Sequence, residues 1–135
     1  MSKIETLAAP MGRLLIAIIF VMAGLDKIGG FAGTQGYMEA MGVPGELLPL
    51  VIALEIGGGL AIIVGWQTRL AALALAGFSL LSALMFHANF ADQMQMIMLM
   101  KNFAITGGLL FLVANGPGAW ALDNRKKALT VASTA

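Results

Sequence analysis

The chain has 135 residues, of which 59% are hydrophobic and 11% charged, and its mean hydropathy is +0.89, far from the balance of a soluble domain, where about a quarter of residues are charged. A formal net charge of +1, with no basic stripe, excludes nucleic acid as a partner. The absence of cysteine excludes disulfides, thiolate nucleophiles, iron–sulfur clusters and covalently attached haem, and a single histidine excludes bis-histidine haem within one chain.

A helix crosses a hydrocarbon core of about 30 Å with about 20 apolar residues. On that measure the chain reads as one all-α transmembrane domain over 1–135, a four-helix bundle running up-down-up-down. The first span is expected at about 7–28, containing Arg13 and closing on Asp26-Lys27-Ile28-Gly29-Gly30. Leu14 to Ala23 also fits the apolar core of a secretory signal, but the segment is expected to stay in place as a span. Phe31 to Met41 suits a short interfacial helix, and Gly42-Val43-Pro44-Gly45 breaks it. A second span at about 47–65 carries Glu55 near its middle. Only Trp66-Gln67-Thr68-Arg69 separates it from a third at about 70–87, so the two form a tight antiparallel hairpin. A fourth span at about 94–114 carries Lys101 and Asn102 and ends at Asn115-Gly116-Pro117-Gly118, before a cytoplasmic tail at about 119–135.

Four spans return both termini to one side. Lys3, Arg13, Arg69, Arg125, Lys126 and Lys127 fall on that side and only Lys27 and Lys101 on the other, so both termini are expected in the cytoplasm. Trp66 and Trp120 would then lie at the cytoplasmic interface.

A charge at bilayer depth costs about 2.5–3.5 kcal/mol on insertion scales, so intramembrane charges should face the bundle interior and find partners. With 1.5 Å of rise per residue, Glu55 lies roughly 12 Å, and Lys101 roughly 10 Å, below the outer ends of their spans. An ion pair between them is therefore expected, with Lys27 the weaker partner and Arg13 snorkelling to cytoplasmic headgroups. Glu55, Gly58, Gly59 and Ile62 share one helical stripe, where glycine admits a close neighbour. His87 and Asn89 close the third span on the outer side near the level of Asp26 and Lys27, and with Glu55, Lys101 and Asn102 they outline a polar pocket open to the outside. Metal binding is expected to be absent, Met94, Met98 and His87 being the weak alternative as a soft-ligand set. Ser79 and Ser82 have no base beside them and are expected to bond their own backbone.

Gly12-Arg13, Gly24-Leu25-Asp26-Lys27-Ile28, Glu55-Ile56-Gly57-Gly58-Gly59 with Gly65, the outer His87, Lys101-Asn102, and Gly116-Pro117-Gly118 before Leu122-Asp123 occur in an order that resembles the DoxX family of small bacterial membrane proteins. The resemblance runs over nearly the whole chain. It implies a four-helix protein of the bacterial inner membrane. Some members are linked to membrane redox systems, including a subunit of a thiosulfate:quinone oxidoreductase, and others to cytoplasmic redox partners in oxidative-stress defence. The leading expectation is therefore a membrane subunit or partner of a redox system, without a self-contained catalytic site, that contacts quinone through Glu55, His87 and Lys101, with Asn102 and Lys27 close by. Two alternatives stay open: a membrane scaffold whose basic tail recruits a cytoplasmic protein partner, and a small-molecule carrier acting as a dimer, a homo-oligomer of this chain.

Overall fold

A computed structural model describes residues 2–125 and Ser133. Among them the chain forms α1 (Lys3–Gly29), α2 (Phe31–Ala40), a 3-10 turn (Gly45–Leu47), α3 (Leu48–Val64), α4 (Thr68–Phe86) and α5 (Gln93–Asn115). The helices α1, α3 with its 3-10 turn, α4 and α5 are long and apolar enough to cross a membrane. The short helix α2 lies between the first two of these.

The helix ends follow from local chemistry. Helix α1 begins at Lys3, ahead of the expected boundary near Leu7, because Ser2 and Glu5 form a capping box. The Glu5 N–H donates to Ser2 Oγ at 3.3 Å and the Ser2 N–H to Glu5 Oε2 at 3.2 Å, which satisfies two amides that have no intrahelical acceptor. Pro10 lies inside α1 and removes one helical donor. Gly30 closes the helix, its N–H donating to the Asp26 carbonyl at 2.9 Å. Helix α3 stops at Gly65, whose left-handed φ of 74° turns the chain toward α4. Asp92 opens α5 by accepting from the Met94 and Gln95 amides at 2.9 and 3.4 Å.

Helix α1 packs along α3 and α4 along α5, while α3 and α4 join the two pairs and α1 meets α5 over a short stretch. Gly59 makes the α1–α3 contact close: a Cβ there would lie 2.7 Å from Val21 Cγ2 and 3.1 Å from the Ala17 carbonyl oxygen. Its neighbour Gly58 faces Leu75 of α4 instead. The buried core is Ala17, Phe20, Ile62, Ala72, Leu75, Ala76 and Leu109. Large apolar side chains such as Leu15, Leu70, Leu81 and Phe111 face outward, the distribution expected when the surrounding solvent is hydrocarbon.

The bundle has two ends. Residues 2–13, 65–69 and 116–125 form the terminal end; residues 26–47 and 86–93 form the loop end. A buried charge lies at the terminal end, Arg13, and another, Glu55, is reached from the loop end; the two are held differently.

Candidate functional site

At the terminal end Arg13 is only 1% exposed. Its Nη1 donates to the carbonyls of Ile62 and Ile63 at 3.3 and 3.1 Å. Its Nη2 donates to those of Ala119 and Trp120, both at 2.8 Å. The first pair are carbonyls of the last turn of α3, where the partial negative charge of a helix C-terminus favours a cation. The second pair belong to the segment after α5, so one guanidinium ties α1, α3 and the C-terminal segment together. Arg13 therefore does not snorkel to headgroups. The two arms of its planar fork find backbone acceptors inside the protein, while Nε is buried without one; the compact ammonium of lysine would not reproduce this arrangement.

Asp123 completes this end. Its carboxylate accepts from the Gln67 and Thr68 amides at 2.8 and 3.0 Å, capping α4 from a distant part of the chain. Its own N–H donates to the Gly65 carbonyl at 2.8 Å. This remote cap is why α4 starts at Thr68, before the expected position 70. Gly65 sits between the two anchors: a Cβ at that position would meet Ala121 and would lie 2.6 Å from Arg13 Nη1. Trp66 and Trp120 are exposed beside it. Lys126 and Lys127 of the expected basic tail lie outside the described residues.

At the loop end, Lys27 in the last turn of α1 forms an ion pair with Glu55, Nζ to Oε1, at 2.7 Å. The Glu55 side chain is 2% exposed and that of Lys27 is 28% exposed, so the pair runs from the interior toward the surface. This corrects the expected Glu55–Lys101 pair. Depth alone does not choose the partner, because rotation about α5 turns Lys101 outward, where it is exposed. Adjacent residues on a helix differ by about 100° in direction. Asn102 faces in, its Nδ2 donating to the Ser79 carbonyl at 3.4 Å. Lys101 instead borders a shallow outer groove with Gln93 and Ile97.

Beside the ion pair is a cavity of about 480 Å³. Phe20, Val51, Phe78 and Ile105 supply apolar wall, and Lys27, Glu55, Asn102 and His87 supply polar groups. Helix α2 covers it with Thr34, Tyr37 and Met38, and Tyr37 stacks on Phe86 of α4 with ring centroids 5.4 Å apart. Four of the five expected pocket residues thus line one space: Glu55, His87, Asn102 and Lys27. Lys101 does not. Met98 borders the same cavity as His87, whereas Met94 is exposed and is not part of the wall, so the three weak soft-ligand positions are not gathered in it. Among the described residues no three of His, Asp or Glu group as a metal site.

Sequence reasoning missed Tyr37, Thr34 and the side chains of Ser79 and Ser82 as cavity residues. Tyr37 carried a usable signal, being the sole tyrosine and lying on the interfacial helix. The serines could be placed only once the face of α4 was known. A cavity with apolar walls and a few convergent polar groups is the general form of a small-molecule site.

Comparison with known proteins agrees with this architecture. The DoxX family model matches residues 8–88. Inner membrane protein YqjF of Escherichia coli (strain K12) is 55% identical over 123 residues, covering 91% of this chain and 95% of the relative. Inner membrane protein YphA of the same organism is 34% identical over 122 residues, 85% of this chain and 87% of the relative. "Putative oxidoreductase CatD" of Bacillus subtilis (strain 168) is 29% identical over 76 residues, 56% of this chain and 57% of the relative. No solved structure matches. With a family model covering more than half of its length and a relative aligned almost end to end, the chain belongs to the DoxX family of membrane proteins.

Proposed function

We propose that the chain is an inner-membrane subunit or partner of a redox system and that its loop-end cavity holds a flat, quinone-like ring. The observation that carries this reading is the juxtaposition of the Lys27–Glu55 pair with an apolar cavity of about 480 Å³. A quinone needs apolar walls for its ring and one or two hydrogen-bond donors for its carbonyls. Lys27, Asn102, His87 and the Tyr37 hydroxyl are the available donors, and Glu55 orients Lys27. Similarity to a protein named as an oxidoreductase supports the redox context, and similarity to two proteins named for the inner membrane supports the location. The chain holds the ring for a protein partner that supplies or removes electrons.

We orient the chain with its terminal end in the cytoplasm. Lys3, Arg69 and Arg125 are exposed at that end, against Lys27 and Lys101 toward the other, and basic residues favour the cytoplasmic side.

The test is direct binding of a short-chain ubiquinone analogue to the purified protein, compared with the Lys27→Met and Glu55→Gln variants. Saturable binding that weakens at least tenfold in either folded variant supports the reading. Absence of saturable binding to the parent protein, or equal binding by all three, overturns it.

A further inference from the structure

Lys101 is a charge deep within a spanning helix that the bundle does not take in. It lies eight residues inside α5, about 12 Å from the first residue of that helix, and it is exposed. Among the described residues no carboxylate pairs with it. The groove beside it, about 430 Å³, is lined by Gln93, Met96, Ile97, Met100, Lys101 and Ala104. Two hydrogen-bonding side chains therefore stand at different levels above and within an otherwise apolar strip. No acidic side chain is among them.

The depth of Lys101 selects the occupant. A lysine stem spans about 6 Å and snorkels along a helix toward the nearer interface, which brings the ammonium to about the level of Ile97, one turn below Gln93 on the same face. At that level an ammonium reaches the phosphate and glycerol region of the loop-end leaflet, while the face below it remains in hydrocarbon. A second copy is a poor occupant. Two subunits related by an axis along the membrane normal would present the same face to each other and oppose Lys101 with its own equivalent.

We propose that this face of α5 binds an anionic phospholipid of the loop-end leaflet, its phosphate held by Lys101 and Gln93 and one acyl chain lying along Ile97, Met100 and Ala104. The methionines Met96 and Met100 suit an acyl chain because their unbranched, flexible stems adapt to its shape. The site is separate from the loop-end cavity, and its existence does not depend on what that cavity holds.

Native mass spectrometry of the full chain, released from bilayers of equal parts phosphatidylglycerol and phosphatidylethanolamine with matched acyl chains, tests the proposal. The parent protein should retain phosphatidylglycerol preferentially. Lys101→Gln should reduce that preference roughly fivefold, the factor corresponding to about 1 kcal/mol per lysine at an anionic surface. Lys101→Arg should keep most of it, and Lys3→Gln, at the opposite end, should leave it intact. Equal retention of the two lipids by the parent, a preference unchanged in Lys101→Gln, or carbodiimide coupling of Lys101 to a carboxylate of another protein chain would each overturn it.

Discussion

The two ends of the bundle meet the same difficulty, a charge inside an apolar protein, in opposite ways. At the terminal end the Arg13 guanidinium spends four hydrogen bonds on backbone carbonyls of two separate segments, and Asp123 caps α4 from the same C-terminal segment. Both terminal nitrogens of the guanidinium are occupied, and only the buried Nε is left without an acceptor. At the loop end Lys27 and Glu55 hold one another beside a cavity that neither fills. Backbone acceptors cannot rearrange without moving helices, whereas two side chains bordering a cavity can redirect a hydrogen bond toward a bound molecule. The contrast teaches that burial of a charge does not by itself mark a functional site; what remains open around the charge does.

Substitutions at the terminal end should therefore cost stability first. Arg13→Met is expected to lower unfolding free energy in detergent by about 3 kcal/mol or more, since hydrogen bonds to charged groups contribute about 1.5–3 kcal/mol each and four carbonyls lose their donor. Arg13→Lys should recover less than half, because an ammonium does not span both carbonyl pairs. If Arg13→Met unfolds like the parent, the terminal end is not the anchor described. Gly65→Ala ranks next, at about 2 kcal/mol: it strains a left-handed residue and pushes a methyl toward Arg13 and Ala121. Thermal unfolding monitored by circular dichroism measures this. Asp123→Ala, which removes a remote helix cap, should cost about 1 kcal/mol and raise amide exchange at Gln67 and Thr68 before other positions.

The loop end should respond in the reverse sense. Replacing the ion pair as a unit, Lys27→Met with Glu55→Gln, is expected to change stability by less than about 1 kcal/mol, because removing both members of a buried pair leaves no unpaired charge. The same double variant should lose ligand binding. A large loss of stability there, with binding intact, would erase the distinction between the two ends.

Much of this architecture was legible in the chain. Apolar runs of membrane length give the four long helices, and the few residues around Trp66 and Gln67 require the hairpin. Hydropathy and rise per residue also give depth: they set Glu55 and Lys101 at similar depths in the outer half, with Lys27 and His87 nearer the outer ends of their spans. Direction around the helix axis is another matter. Lys101 and Asn102 are neighbours in sequence, yet Asn102 reaches the Ser79 carbonyl while Lys101 faces outward, since α5 has apolar residues on every side and no polar face to reveal its orientation. The role of Arg13 was illegible for a different reason. Its acceptors are main-chain carbonyls, which every residue carries, and the segment 116–125 had to fold back before two of them came within reach.

The distinction between a backbone-held anchor and an open pair is tested most directly by photoaffinity labelling with a short-chain azido-quinone in native membranes, followed by peptide mapping. Labelling should be confined to loop-end peptides, those containing Tyr37 of α2 and Phe86 of α4, and should be competed away by unmodified quinone. Specific labelling around Gly65 and Ala121 at the terminal end, or none that unmodified quinone displaces, would contradict it.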